Sequence, residues 1–163
     1  MSFWQFAEEM LMRRFLRWLA SRLQCREIHG EQGLYLSRYH IYGWMPGDTR
    51  SYPFGIYLHR FHTPDQDQTA PHSHPWKWAV SLILTGGYRE ERMRVTGEMA
   101  TCELRAPALN RIAADDFHVV ERLYGETCTL FITGPKASSW GFLVPGRGVI
   151  PWKQRLAERG LPE

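Results

Sequence analysis

The feature that most constrains the fold is the regular spacing of turn residues from Leu34 onward. Turn residues recur about every ten positions, which is the spacing of strands in a β-sandwich or barrel. They fall near Gly97, Pro107, Asp115-Asp116, Gly125 and Gly134-Pro135. Gly86-Gly87 also separates a strand-like run ending at Thr85 from one beginning at Tyr88, the pattern of a hairpin turn. The sequence therefore predicts an antiparallel, all-β domain.

Helices are predicted only at the two ends of the chain. From residue 2 to about 28 the apolar residues follow helical spacing, and Ser2 with Gln5 forms a capping-box pattern. The apolar residues at helical spacing are Trp4, Ala7, Leu11, Phe15, Trp18 and Leu19. A short second helix is expected at 151–159, with proline in its first turn. One domain, 1–163, then comprises a helical extension at 1–30, a barrel at 34–144 and the final helix.

The amphipathic N-terminal helix allows two interpretations. Because buried helix faces are commoner than membrane anchors, we expect it to pack on its own domain or across a homodimer interface. The alternative is a basic amphipathic helix that lies on a membrane surface. We favour packing, so membrane binding is not expected.

Composition narrows the class of function. The chain has 163 residues, with 20 Lys and Arg against 17 Asp and Glu, and no basic tract of the kind that nucleic acid requires. Its three cysteines, Cys25, Cys102 and Cys128, form no CxxC pair. An odd, sparse set of cysteines is typical of reduced thiols, so we expect a cytoplasmic protein.

Two closely spaced histidines carry the strongest chemical signal. His72 and His74 flank one serine, and in an extended segment such alternate side chains point to the same side. Pro71 and Pro75 favour that extended conformation in the residues before them. Two imidazoles on one side can chelate one ion. His118, after the turn at 115–116, could complete the site from another strand.

These motifs resemble those of the cupin superfamily. Residues 72–76 and 86–88 look like the first cupin motif, and residues 115–118 are similar to the second, which supplies the last histidine. More narrowly, the chain resembles an uncharacterised group of bacterial and phage cupins, to which the segments 134–136 and 140–142 also correspond. The resemblance implies a jelly-roll antiparallel β-barrel with a metal held by histidines.

The resemblance is incomplete at one expected ligand. Cupins usually place a glutamate four or five residues after the second histidine, where this chain has Trp78 and Ala79. The metal site implied is therefore His72, His74 and His118 alone, which resembles the site of thiol dioxygenases. Iron(II) is the favoured divalent metal, and zinc or nickel remain possible because imidazole binds all three.

Several other residues are candidates for the pocket. Arg60 and Arg111 are predicted to bind a substrate carboxylate or phosphate, and His62 to hold a ligand histidine in place. The run from Tyr88 to Arg94 has charges on both faces and is predicted to be a solvated strand. Trp76 would line the pocket or the barrel core.

Three functions remain open from the sequence. The first is a metal-dependent oxygenase that acts on a small polar molecule. The second is a non-catalytic metal-binding or ligand-binding protein, since barrels serve many unrelated functions. The third is a metal-free isomerase or epimerase in which His72 or His118 is the base.

Overall fold

The chain folds into antiparallel strands between two terminal helices. The computed structural model describes residues 3–45, 47–93, 97–137 and 139–161. Within these ranges α1 spans Phe3–Ala20 and α2 spans Trp152–Glu158. The strands are β1 (Gln24–Gly30), β2 (Gly33–Tyr42), β3 (Gly55–Phe61), β4 (Trp78–Thr85), β5 (Gly87–Met93), β6 (Met99–Arg105), β7 (Ala108–Ala113), β8 (Phe117–Leu123), β9 (Thr127–Thr133), β10 (Gly141–Val144) and β11 (Gly148–Pro151).

The strands form a large sheet and a small sheet. The large sheet has the order β1-β2-β3-β9-β4-β7, and the small sheet has the order β6-β5-β8. β10 and β11 form a separate pair, which His72 links to the small sheet by bridging both His118 of β8 and Phe142 of β10. All strand pairs are antiparallel, so the prediction of an antiparallel all-β fold with a helix at each end is confirmed.

The core lies between the two sheets. Ile83 of the large sheet packs with Tyr88 and Val120 of the small sheet. The ring of Tyr88 also lies 5.9 Å from that of Phe61. Each such aliphatic or aromatic side chain contributes about 1.5–3 kcal/mol when it leaves water. The inner face of the large sheet is therefore the face that looks toward the small sheet.

Helix α1 covers the opposite, outer face of the large sheet. Leu16 is 5% exposed and packs on Leu58 and Cys128, which confirms that the helix docks on its own domain. The other side of α1 leaves Leu11, Phe15 and Trp18 between 52% and 64% exposed. A homodimer formed through this side stays a prediction. No helix in the described part of the chain is long and apolar enough to cross a bilayer.

The first helix is shorter than predicted. It ends at Ala20, and residues Gln24–Gly30 form β1, so the prediction of a helix to residue 28 is wrong for that segment. Gly30 and Gly33 pair across the β1–β2 turn. Strand structure also continues beyond residue 144, the predicted end of the barrel, because β11 ends at Pro151. The predicted cap at Ser2 lies outside the described residues.

The glycines at 86 and 87 do not form a hairpin. β4 pairs with β7 and β9, whereas β5 pairs with β6 and β8, so the chain crosses from one sheet to the other at Gly86. Gly87 has a φ of 151°, and a Cβ there would collide with the Leu104 carbonyl. Only glycine fits so close to another backbone. The crossing brings β5 against β8, the strand that carries His118.

Candidate metal centre

Backbone pairing places His72 directly opposite His118. The His72 N–H donates to the His118 carbonyl at 2.9 Å, and the His118 N–H donates back to the His72 carbonyl at 3.0 Å. Residues that exchange both hydrogen bonds in an antiparallel ladder have their side chains on the same face. His74 is two residues further along the extended segment and returns to that face. Short-range and long-range pairing thus bring three imidazoles together.

The three imidazoles fit a single small cation. One ring nitrogen from each of His72, His74 and His118 lies within 4.8 Å of the other two. The Nε2 atoms of His74 and His118 are 2.8 Å apart. Nitrogen ligands at about 2.0–2.1 Å from one ion, at right angles, are separated by roughly 3 Å. The donor set therefore suits a divalent metal that accepts imidazole, such as iron, zinc, copper or nickel.

A buried carboxylate fixes the orientation of His118. The Nδ1 atom of His118 lies 2.9 Å from Oε2 of Glu90, whose side chain is fully buried. With Nδ1–H donating to the carboxylate, the Nε2 lone pair points toward His74 and His72. Arg92 donates to the other carboxylate oxygen of Glu90 at 2.6 Å. Glu90 therefore selects the tautomer of His118 that can bind a metal.

Glu90 stays ionised although it is buried. Burial is the largest single effect and acts to raise its pKa, but the hydrogen bond with His118 and the charge and hydrogen bond of Arg92 together lower the pKa below its usual value. Asn110 adds a hydrogen bond at 3.1 Å from Nδ2 to Oε2. Asp116 accepts from Arg92 at 3.2 Å. The carboxylate is thus held by a charged network behind the histidines.

The other two histidines are neutral at neutral pH. Burial lowers the pKa of His72 to about 4 and that of His74 well below its usual value. Neutral imidazoles keep the lone pairs that metal binding needs. Nδ1 of His72 lies 3.9 Å from Oδ2 of Asp65, and the ring of His74 stacks on Trp76 at 5.5 Å. Trp76 therefore both packs on the core and borders the histidines.

The structure does not bring the other predicted pocket residues to this group. Arg60 lies toward α1, where its guanidinium is 3.4 Å from Glu126. His62 is exposed and lies 2.9 Å from Ser37 Oγ, and Arg111 is exposed on β7. The side chains of Arg60 on β3 and Arg111 on β7 alternate with those of the buried His59 and Ile112, so both arginines point outward. Substrate binding by the two arginines stays a prediction without support from this placement.

Sequence reasoning missed Glu90, the residue that orients His118. The prediction of a solvated strand is wrong on one face of the described residues 88–93, because Tyr88 is 3% exposed and Glu90 is fully buried; Arg94 lies outside the described residues. Because charged residues occur on both faces of this strand, no alternation of polar and apolar residues marks the buried face. Spacing alone did contain a signal, since Tyr88 and Glu90 are two residues apart and so share a face.

Two surface cavities lie elsewhere in the fold. The smaller, of about 20 Å³, is under α1 beside Arg60 and Glu126. The larger, of about 410 Å³, is on the outer face of the small sheet beside Met93, Met99 and Leu143. Neither is lined by the three histidines. The candidate metal centre therefore rests on the geometry of its donors and not on the size of a cavity.

Comparison with known proteins identifies the fold but not the activity. No protein-family model matches the chain, and no curated protein matches it either. Among solved structures, an oxalate decarboxylase has a TM-score of 0.54 at 12% identity, over 88% of this chain and 36% of that one. Fe(II)-HppE in complex with substrate has a TM-score of 0.52 at 10% identity, over 70% of this chain and 57% of that one.

The fold is that of a cupin-like jelly roll. A third neighbour, Drosophila melanogaster CENP-C bound to CAL1, has a TM-score of 0.52 at 15% identity and covers 80% of this chain and 98% of that one. At these identities the likeness establishes the cupin-like fold alone. This chain spans little more than half of the HppE chain and about a third of the decarboxylase chain. Because one fold serves unrelated functions, activity has to be argued from the residues of the site.

Proposed function

We propose that this chain is a metal-dependent cupin enzyme that oxygenates a small polar molecule, with iron(II) held by His72, His74 and His118. The observation that carries the proposal is the convergence of three imidazoles, one of which is oriented by a buried carboxylate. Outer carboxylates of this kind recur behind metal-binding histidines. The usual cupin glutamate ligand is replaced by residues that cannot bind, so all three ligands are uncharged.

The ligand set explains why iron(II) is favoured in this proposal. Three neutral ligands leave the full charge of a divalent ion available to a substrate, together with open coordination positions. Iron(II) in such a site supplies dioxygen chemistry, whereas zinc supplies activation of water or of a carbonyl group. Imidazole itself does not discriminate between these ions. The choice therefore has to be measured.

The residues around the histidines would keep the site dry and fixed. Trp76 stacks on His74, and the rings of Trp140 and Phe142 lie 6.2 Å and 6.0 Å from that of His72. Such an apolar wall excludes water and strengthens electrostatic interactions inside it. Glu90 restrains the ring of His118 from behind. The chain thus supplies a rigid, weakly hydrated set of ligands.

Anaerobic reconstitution with iron(II) is expected to load about one metal per chain, because the described residues offer one set of three converging imidazoles. Elemental analysis of protein purified without a histidine tag or chelator checks this stoichiometry. The iron form is then expected to consume dioxygen when small carboxylates, hydroxy acids or thiols are supplied. The zinc form is the control and is expected to consume none, since zinc has no redox chemistry.

The outcomes separate the three functions. Dioxygen consumption by the iron form alone supports the oxygenase. One bound metal without consumption for any compound in the screen favours the non-catalytic binding protein. A folded chain that binds no metal under anaerobic conditions contradicts the proposal and leaves the metal-free isomerase.

A further inference from the structure

The inner face of the large sheet carries polar side chains where a barrel core would be apolar. Arg38 of β2, His59 of β3 and Thr129 of β9 lie in one row, because Arg38 pairs with His59 and His59 with Thr129. His59 is 4% exposed and Thr129 is fully buried. Buried polar groups normally have hydrogen-bond partners. This row is therefore unusual and needs an explanation.

Arg38 is a cation without a counter-ion. Its Nε donates to Nε2 of His59 at 3.0 Å, and its guanidinium lies 5.3 Å from the ring centre of Tyr57 and 5.9 Å from that of Trp76. Within the described ranges no carboxylate forms an ion pair with it, and no hydrogen bond uses its two Nη groups. Burial also lowers the pKa of Arg38, to about 10, which still leaves the side chain charged at neutral pH.

The neighbours of Arg38 cannot neutralise it. Burial and the charge of Arg38 hold the pKa of His59 well below its usual value, so His59 is a neutral acceptor. Thr129 is uncharged, and its buried Oγ1 has no hydrogen-bond partner among the described residues. The Arg38 side chain is only partly buried, so its unpaired guanidinium stays accessible to a ligand that carries a negative charge. The row thus offers an unused guanidinium fork and an unpartnered hydroxyl.

This row borders the three-histidine group. Trp76 lies between them, with its ring centre 5.9 Å from Arg38 Cζ and 5.5 Å from that of His74. Phe131 forms a second link, with its ring centre 4.7 Å from that of His59 and 6.1 Å from that of His74. Trp76 and Phe131 are therefore neighbours of both the polar row and the three histidines.

We infer that Arg38 binds the oxyanion of a small ligand, a carboxylate, phosphate or phosphonate, inside the barrel. A guanidinium presents two parallel N–H groups that match the oxygens of such an anion. The other end of the ligand reaches the three-histidine group; this part of the inference rests on the proposed function. Binding of the oxyanion by Arg38 does not depend on the metal.

The test measures binding of acetate and methylphosphonate by NMR titration, with acetamide as the neutral counterpart of acetate. Metal-free and zinc-loaded protein are both titrated. Both oxyanions are expected to bind in the metal-free form, and acetamide to bind at least tenfold more weakly. Arg38→Gln, which keeps a donor for His59, is expected to lower oxyanion affinity at least tenfold. Arg60→Gln is the matched control and is expected to bind like the wild type.

Each result decides the inference. Equal binding of acetate and acetamide, wild-type affinity in Arg38→Gln, or a loss in Arg60→Gln instead would overturn it. The comparison of acetate with acetamide uses wild-type protein and still decides if Arg38→Gln does not fold. Zinc binding without any oxyanion binding defeats this inference and spares the metal centre. Binding of oxyanions through Arg38 in a chain that binds no metal supports this inference and contradicts the proposed metal centre.

Discussion

Replacing His118 by alanine is expected to lower metal affinity by more than about 100-fold. This exceeds the typical loss when a residue that only hydrogen-bonds a metal ligand is replaced. His118 contributes one of only three ligands, and its Nε2 is 2.8 Å from that of His74. Two remaining imidazoles cannot enclose the ion. Zinc competition against a chromophoric chelator measures the affinity, and elemental analysis after dialysis measures the metal retained.

A second substitution separates loss of the ligand from loss of structure. His118→Ala also leaves Glu90 with one fewer partner, so part of its effect could come from the fold. His74→Ala is cleaner, because the only hydrogen bond described for the His74 side chain is to His118. Both variants are expected to lose the metal, whereas His62→Ala, at an exposed histidine, retains it. Wild-type metal content in His118→Ala and His74→Ala would disprove the site.

The ligands were predictable because their signal is local. His72 and His74 are separated by one residue and flanked by prolines, so their shared side follows from an extended backbone. The partner strand was not derivable in this way. His118 was chosen by its resemblance to a cupin motif, and the structure brings it to His72 through a ladder between residues 46 positions apart. The convergence of the three is confirmed; metal binding stays a proposal.

The errors arose where the partner of a segment decides its structure. Residues Gln24–Gly30 become a strand because β2 lies beside them, and glycines at 86 and 87 become a crossing because β5 pairs with β6 and β8. Neither pairing is visible in a local pattern. A short segment can satisfy helical and strand spacing alike, and long-range contacts then determine the outcome.

Long-range strand pairing also decides which charged side chains face the interior. Arg60 and Arg38 lie on adjacent strands of one sheet, but Arg38 pairs with His59, which puts it on the inner face. Whether the odd-numbered or the even-numbered residues of a strand face inward depends on the packing of the two sheets. The sequence predicts Arg60 for the pocket, whereas the register of β2 and β3 puts Arg38 on the inner face.

Replacing Glu90 by glutamine is expected to weaken metal binding and to destabilise the fold together. Metal affinity should fall by about 10–100-fold, the usual cost of losing an outer-shell partner of a ligand histidine. A glutamine amide that donates to Nδ1 of His118 would place the imidazole proton on Nε2, where it blocks the metal. The free energy of unfolding of the metal-free chain should fall by about 3 kcal/mol, since Arg92 keeps its buried charge and loses its closest carboxylate.

Glu91→Gln is the matched control for this effect. Glu91 is the next residue of β5, and its side chain lines the groove on the outer face of the small sheet. The Glu91→Gln substitution makes the same chemical change one position along the strand, on the face away from His118. Urea unfolding of both metal-free variants measures stability, and zinc competition measures affinity. If Glu90→Gln binds zinc as tightly as Glu91→Gln, the tautomer of His118 does not depend on the carboxylate. A loss confined to Glu90→Gln would tie the fold of β5, and the glycine crossing that positions it, to the chemistry of the metal centre.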